Sequence, residues 1–233
     1  MIRSFFFKSF FYIGFCLICL IFIPTLIMPN KISSYGGKLV GLWAIFCLKF
    51  IMSTKINLKG KENILKNEKF FIACTHQSEF ETFYLQTIFK SPYFILKKEL
   101  LDIPILGSFL KKIGCISINR NKISRENSDF MEKVQNSIKS RTSPLIIFPQ
   151  GTRYSTSERP TFKKGVDRIY KISKIKCIPI VMNSGDVWPK KGLLIPNKTI
   201  SISILPAIDP DIENKNFLKD LENRMYSELN NII

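Results

Sequence analysis

The stretch FFIACTHQSEFE, residues 70–81, joins a short apolar run to a polar segment and then to a region with helical patterning. The apolar run over residues 70–75 predicts a buried strand. The S-x-x-E spacing of Ser78 and Glu81 is the pattern of a capping box and predicts that a helix opens there and runs over residues 79–90. Residues 70–81 therefore predict a strand-loop-helix unit.

The same alternation continues on both sides of this unit. Strands are predicted at residues 70–75, 93–96, 115–118, 145–148, 177–182 and 200–205. Helices are predicted at residues 79–90, 124–140 and 165–174, with a final amphipathic helix at 214–230. Strands that alternate with helices indicate an α/β fold, with a largely parallel mixed sheet covered by helices. We assign this domain to residues 56–233.

The N-terminal segment is different in character and predicts a membrane anchor over residues 1–55. Residues 9–30 carry no charge, and at ~1.5 Å per residue such a helix just spans a ~30 Å hydrocarbon core. A second apolar run, residues 39–52, is interrupted by Lys49, and the glycine pair at 36–37 is expected to form the turn. We expect one transmembrane or deeply embedded apolar helix, followed by an interfacial or re-entrant helix in one leaflet.

The charge of the chain is strongly basic. Lys and Arg number 35 against 18 acidic residues, a net charge of +17, and no acidic residue precedes Glu62. Basic residues around an apolar segment favour an anionic lipid surface and mark the cytoplasmic side. We therefore expect the inner (cytoplasmic) membrane, with the domain over residues 56–233 on its cytoplasmic face. A non-catalytic, membrane-tethered basic domain that binds anionic lipid or nucleic acid also explains the charge.

His76, the only histidine of the chain, is the first candidate for a catalytic base. An imidazole accepts a proton near neutral pH, and a carboxylate on its other ring nitrogen fixes the tautomer and stabilises the imidazolium. Glu81, five positions later, supplies such a carboxylate. The capping box offers Glu81 a different role, because its side chain can accept from free backbone N–H groups at the helix start. The local pattern leaves both roles open.

A second candidate site lies in LIIFPQGTR, residues 145–153, where a β-branched run breaks into a loop. Gly151 allows close backbone approach, and the guanidinium of Arg153 offers a planar fork that matches phosphate oxygens. The backbone of Gly151 and Thr152, together with Arg153, is therefore predicted to hold a phosphate.

Two further blocks complete a recognisable set: Asn119-Arg120 after the run at 115–118, and CIPIVMNSG at residues 177–185. The four blocks in this order resemble the glycerolipid acyltransferase family of the bacterial 1-acylglycerol-3-phosphate type, over residues 70–206. The family's His-x4-Asp block falls on His76 and Glu81. Its Phe-Pro-Glu-Gly-Thr-Arg block falls on residues 148–153, with Gln150 in place of the glutamate.

The resemblance implies an O-acyltransferase of phospholipid biosynthesis. Its co-substrate is an acyl thioester, either acyl-CoA or acyl carrier protein (acyl-ACP), and its acceptor is the sn-2 hydroxyl of lysophosphatidate. The resemblance also implies that His76 acts as base, that Glu81 orients it, and that Gln150 contacts the acceptor. The residues implied in phosphate binding are Arg153, Gly151, Thr152, Arg120 and Lys98. No metal, no other cofactor and no nucleic acid partner is expected.

The four blocks indicate acyl transfer more clearly than they indicate which acceptor receives the acyl group. Glycerol 3-phosphate or an ornithine-type lysolipid therefore stays open as the acceptor. The sequence contains no G-x-S-x-G, Walker A or H-E-x-x-H motif, which leaves a serine hydrolase, a P-loop nucleotidase and a zincin without support.

Overall fold

The computed structural model describes residues 1–118, 129–211 and 216–233. The strands within these residues are β1 Lys55–Lys59, β2 Phe70–Cys74, β3 Tyr93–Lys97, β4 Ile116–Ile118, β5 Leu145–Ile147, β6 Lys176–Met182 and β7 Thr199–Ile204. The α-helices are α1 Ile2–Ile21, α2 Asn30–Met52, α3 Phe80–Ile88, α4 Leu106–Lys112, α5 Phe130–Ser140, α6 Gly165–Ser173 and α7 Phe217–Ile232.

The strands form one sheet in the order β1-β7-β6-β2-β5-β3-β4. Every neighbouring pair is parallel except β6 and β7, which are antiparallel. This confirms the predicted mixed, largely parallel sheet. The apolar runs lie in its interior because a sheet covered on both faces buries alternate side chains on opposite sides. In β2, Ile72 and Cys74 join the core on one side, and Phe71 and Ala73 join the core on the other.

The six predicted strands are present with shifts of about one residue at their ends, but the sequence did not predict β1. This strand, KINLK, lies at the edge of the sheet, pairs only with β7, and alternates exposed lysine or asparagine with half-buried Ile56 and Leu58. A five-residue edge strand flanked by lysines gives little apolar signal. Helix α4 was also missed, and the part of the predicted 124–140 helix before residue 129 lies outside the described residues.

The prediction of a turn at residues 36–37 is wrong. Helix α2 runs unbroken through both glycines, and the turn lies earlier, at a 3-10 helix over Ile23–Ile27 that contains Pro24. The glycines serve close packing instead. A Cβ on Gly37 would lie 1.7 Å from the Gln86 side chain, and one on Gly41 would lie 2.4 Å from the Phe83 carbonyl oxygen. Small residues thus let α2 approach α3 closely.

This packing predicts a stability difference between two glycine substitutions. Gly41→Ala must push α2 away from the α3 backbone, and overpacking of this kind costs ~1–3 kcal/mol. Gly165→Ala, at the start of α6, is the matched control, because a Cβ there meets nothing within 4 Å. We expect thermal unfolding in detergent to show a lowered Tm for Gly41→Ala and an unchanged or raised Tm for Gly165→Ala. Equal Tm values would contradict the close helix contact.

Helices α1 and α2 are the two helices in the described part of the chain that are long and apolar enough to cross a membrane. One side of each packs on the α/β body, with Phe7, Phe11, Ala44 and Leu48 fully buried. The opposite side is exposed, and we call it the apolar hairpin face. Its large side chains are Ile2, Phe5, Phe6, Phe10, Ile13, Leu17, Leu20 and Ile21 of α1, and Tyr35, Leu39, Leu42, Phe46 and Phe50 of α2.

Candidate active site

The candidate residues meet at one edge of the sheet. Strands β6, β2, β5 and β3 are adjacent and parallel, so their carboxyl ends point the same way. His76 follows β2, residues 148–153 follow β5, and the segment that begins at Lys98 follows β3. Ligands of parallel α/β sheets bind outside the carboxyl ends of the strands. The fourth block, residues 177–185, forms most of β6 and ends just after it. The carboxyl ends of these strands thus bring together three of the four sequence blocks and the Lys98 segment.

His76 and Glu81 are in contact. The distance from His76 Nδ1 to Glu81 Oε2 is 3.2 Å, and the side chains are 16% and 0% exposed. A carboxylate accepts a hydrogen bond from an Nδ1–H group, and in the neutral imidazole tautomer with its proton on Nδ1 the lone pair lies on Nε2. The imidazole stacks on the Phe148 ring with centroids 4.0 Å apart and planes at 17°. One ring nitrogen is thus oriented by an acid and the other is left to act as a base.

The capping role of Glu81 is present as well. Its carboxylate accepts from the backbone N–H of Gln77 at 3.2 Å and from that of Ser78 at 3.0 Å, and the Ser78 hydroxyl accepts from the N–H of Phe80. The two roles left open by the sequence therefore coexist. The backbone N–H groups before α3 fix the position of the Glu81 carboxylate, and this carboxylate in turn orients His76.

Ser184 is a site residue that sequence reasoning missed. Its hydroxyl donates to Glu81 Oε1, and the serine is fully buried at the start of the 3-10 helix Ser184–Asp186, just after β6. With His76, Gln77 and Ser78 it brings the donors on this carboxylate to four. A buried carboxylate needs such partners to offset its lost hydration. A small polar residue directly after a buried parallel strand was the available signal.

Gln150 holds the loop that carries the histidine. Its side chain is 1% exposed, and its Oε1 accepts from the His76 N–H at 2.6 Å. The Tyr154 N–H donates to the His76 carbonyl oxygen at 3.0 Å. Both backbone polar groups of His76 are therefore bound to the segment after β5. The contact between Gln150 and an acceptor stays a prediction.

This geometry predicts the response of position 150 to substitution. Gln150→Glu keeps an oxygen that accepts from the His76 N–H, so we expect kcat within a few-fold of the unsubstituted enzyme. Gln150→Ala leaves the part-buried His76 N–H without its acceptor, at a cost of ~1–3 kcal/mol. We expect a lower kcat and a lower Tm together, measured by acyl transfer and thermal unfolding. An alanine variant with unchanged kcat would contradict the positioning role.

The segment at Gly151 makes a turn. Gly151 has φ +79°, and its N–H donates to the Phe148 carbonyl oxygen at 2.9 Å, so this N–H closes the turn. A positive φ favours glycine because other residues meet steric strain there. The Gly151 N–H, which the sequence predicted as a phosphate ligand, is thus used inside the loop, and the charge around the turn comes from side chains.

Arg153 lies at the rim of the site in an ion pair. Its Nη1 is 3.0 Å from Glu79 Oε1, with side chains 28% and 35% exposed. The second oxygen of Glu79 accepts from the Tyr12 hydroxyl of α1 at 2.8 Å. Lys190 adds a further cation, with its Nζ 3.3 Å from Thr152 Oγ1 and 3.2 Å from the Arg153 carbonyl oxygen. Glu79, Tyr12 and Lys190 had no assigned role in the sequence.

The remaining predicted phosphate ligands are less defined. Lys98 opens the 3-10 helix Lys98–Asp102 directly after β3, at the same edge of the sheet. Arg120 and its neighbour Asn119 lie outside the described residues. Their roles stay predictions.

Known proteins resemble this chain in sequence. The family model described as Acyltransferase matches residues 55–183. The 1-acyl-sn-glycerol-3-phosphate acyltransferase of Pseudomonas aeruginosa is 28% identical over 182 residues, which covers 78% of this chain and 70% of that protein. The protein of the same description from Helicobacter pylori is 29% identical over 185 residues, covering 78% of this chain and 77% of its own length.

A solved structure has the same fold. The 1-acyl-sn-glycerophosphate (LPA) acyltransferase PlsC from Thermotoga maritima superposes with a TM-score of 0.81, at 18% identity, and the match covers 99% of this chain and 96% of that one. The family match spans more than half of the 233 residues and includes His76, Glu81 and Arg153. The chain belongs to the Acyltransferase family.

Proposed function

We propose that this enzyme transfers an acyl group from an acyl thioester to the sn-2 hydroxyl of 1-acyl-glycerol 3-phosphate, which makes phosphatidic acid for phospholipid synthesis. The observation that carries the proposal is the 3.2 Å contact between His76 Nδ1 and the buried Glu81 carboxylate. The descriptions of the relatives from Pseudomonas aeruginosa and Helicobacter pylori support the acceptor.

His76 acts as a general base. As the acceptor oxygen attacks the thioester carbonyl carbon, its proton passes to His76 Nε2, and Glu81 stabilises the imidazolium through Nδ1. The tetrahedral intermediate then collapses, the C–S bond breaks, and the thiolate leaves and takes the proton from the imidazolium. A thiolate is a good leaving group, so this route requires neither an acyl-enzyme intermediate nor a metal or other cofactor.

The acceptor phosphate is bound by cations at the rim. Arg153 provides a planar donor fork, and Lys190 beside it adds a second positive charge. Glu79 holds one side of the Arg153 guanidinium, which fixes its orientation. Lys98 and Arg120 are the further proposed phosphate ligands. Gln150 acts through the His76 backbone as well as by its predicted acceptor contact.

The enzyme works on the membrane surface. We assign residues 1–55 to the anchor and residues 56–233 to catalysis, on the cytoplasmic face of the inner membrane, where acyl-CoA and acyl-ACP are available. Burial of one side of α1 and α2 against the body supports a hairpin that lies in one leaflet, with the apolar hairpin face in the lipid. A membrane-borne acceptor then reaches the site without leaving the bilayer.

The test offers membranes that contain the enzyme a labelled acyl thioester and three acceptors: lysophosphatidate, glycerol 3-phosphate and an ornithine lysolipid. Both acyl-CoA and acyl-ACP serve as donors in separate arms. We expect labelled phosphatidic acid from lysophosphatidate alone, and no product from membranes that contain the His76→Ala variant. Product from glycerol 3-phosphate at a comparable rate would reassign the acceptor.

A further inference from the structure

A loop outside the anchor also exposes apolar side chains, and it does so beside lysines. Residues 189–195 read PKKGLLI. Leu193 and Ile195 are 48% and 44% exposed, whereas Leu194 between them is 4% exposed and packs in the core. Lys190 and Lys191 are exposed at the preceding positions. We call this segment the 189–195 loop; its outer surface has one apolar and one basic part.

The loop is hydrogen-bonded to the end of the helical hairpin at which α1 begins and α2 ends. The Leu194 N–H donates to the Ser4 hydroxyl at 2.8 Å, and Lys8 Nζ donates to the Gly192 carbonyl oxygen at 2.9 Å. Just beyond the loop, the Asn197 N–H donates to the Met52 carbonyl oxygen at 2.9 Å. The segment is thus hydrogen-bonded to the first turns of α1 and to the last turn of α2.

The base of the loop is held by ring packing. Trp188, which precedes the loop, is 4% exposed and contacts Phe7 and Phe11 edge-on, with centroids 5.0 and 5.1 Å away. The Ile195 N–H closes the loop by donating to the Val187 carbonyl oxygen at 2.9 Å. The exposure of Leu193 and Ile195 is therefore fixed by the fold.

Exposed apolar side chains occur both in the loop and at the helix ends to which it is hydrogen-bonded. At the helix ends to which the loop is bonded, Ile2 is 85% exposed, Phe5 73% and Phe50 73%. Clusters of exposed apolar side chains on a folded domain mark interaction surfaces. Because the loop is hydrogen-bonded to Ser4 and Lys8, a layer that covers the beginning of α1 comes close to the loop.

We propose that the 189–195 loop is a second membrane-contact element, which docks on an anionic bilayer together with the hairpin. Leu193 and Ile195 enter the interface, and Lys190 and Lys191 lie at the level of the lipid phosphates. The occupant follows from charge and chemistry: the loop has two lysines and no acid, and amphipathic basic segments bind anionic lipid surfaces. This inference rests on the membrane association in the proposed function.

The position of the loop gives it a consequence for catalysis. Lys190 Nζ is bonded to Thr152 and to the Arg153 carbonyl oxygen, so the rim that is proposed to bind the acceptor phosphate continues into the loop. A docked loop holds this rim at headgroup depth, where the phosphate of a lysolipid already lies. The alternative occupant, the phosphates or acidic carrier of the acyl donor, accounts for the lysines but not for the paired exposed Leu193 and Ile195.

The direct test places a fluorescent label on the loop in the whole 233-residue chain. Cys16, Cys19 and Cys115, the three cysteines that are not fully buried, are replaced by serine, and Leu193→Cys is labelled with an environment-sensitive dye. The protein is reconstituted in vesicles of phosphatidylcholine with and without phosphatidylglycerol. We expect a blue shift and loss of iodide quenching in the anionic vesicles. The matched control, Lys219→Cys on the exposed side of α7, stays quenched in both.

Iodide quenching of the 193 label that is equal in detergent and in anionic vesicles would overturn the proposal. Because this measurement does not use turnover, it remains readable even if the enzyme acylates a different acceptor.

A kinetic arm separates the bilayer from the acyl donor as occupant. Lys191→Gln is compared with Lys133→Gln, an exposed lysine on α5. We expect Lys191→Gln to raise the acceptor KM several-fold in anionic vesicles, with no change in uncharged detergent micelles and no change in the donor KM. A donor KM that rises in micelles would assign the loop to the donor and overturn the proposal.

Discussion

Replacing His76 by alanine is expected to lower the rate of acyl transfer by at least ~10²–10⁴-fold, the usual contribution of a general base. The fold is expected to persist, since the imidazole packs on Phe148 and touches Glu81 at the rim of the site. After its removal the Glu81 carboxylate keeps the donors Gln77, Ser78 and Ser184. The checks are kcat with saturating lysophosphatidate, together with Tm in the same detergent.

The matched comparison is Ser184→Ala, which removes one donor from Glu81 and leaves the imidazole in place. We expect a smaller loss of kcat than for His76→Ala, because the hydroxyl acts on the acid and not on the substrate. An alanine variant at 76 that retains more than about a tenth of the activity, far above the expected loss, would remove His76 from the role of base.

Replacing Arg153 by alanine is expected to lower kcat/KM by about one to two orders of magnitude, since hydrogen bonds to charged groups contribute ~1.5–3 kcal/mol. The loss appears mainly in the KM for lysophosphatidate, because the phosphate is remote from the reacting hydroxyl. We expect Arg153→Lys to recover only part of the lost kcat/KM, because lysine restores the charge without the planar fork. Initial rates with each substrate varied in turn measure the split.

The ion pair with Glu79 sharpens this experiment. In Arg153→Ala the Glu79 carboxylate loses its cation and repels the incoming phosphate. Adding Glu79→Gln to Arg153→Ala should therefore lower the acceptor KM relative to the single variant. If Arg153→Ala raises only the donor KM, Arg153 binds the donor, and the two substrates are placed in reverse.

The sequence predicted six of the seven described strands because most of them are short apolar runs between polar segments, and it predicted the site because three blocks follow strand ends on the same side of the sheet. His76 and Glu81 were predicted as a pair because their contact is local, five residues apart. Ser184 was not predicted as a partner of Glu81, since the two lie 103 residues apart in sequence and meet only through the pairing of β2 with β6. Contacts that depend on strand order are invisible in a local pattern.

The glycines of α2 show a second limit. A glycine pair between apolar runs is a reasonable turn signal, but at positions 36 and 37 it permits helix packing instead. Only the neighbouring helix distinguishes the two uses. Glu79 was likewise read as part of the helix start, although its side chain pairs with Arg153, 74 residues away.

Contacts from Tyr12 through Glu79 to Arg153 connect helix α1 with the rim that is proposed to bind the acceptor phosphate, so we expect membrane docking of α1 and acceptor binding to be coupled. If docking of α1 changes the affinity for the acceptor, then the acceptor must change the docking of α1 by the same factor, because coupling free energies are reciprocal. Tyr12→Phe removes one bond of the chain and should weaken both effects together. Hydrogen exchange of the α1 amides, with and without lysophosphatidate, measures the effect of the acceptor on the docking of α1. The acceptor affinity in membranes measures the effect of docking on acceptor binding. We then expect bound acceptor to strengthen the docking of α1, so that the enzyme stays on the membrane while acceptor is present.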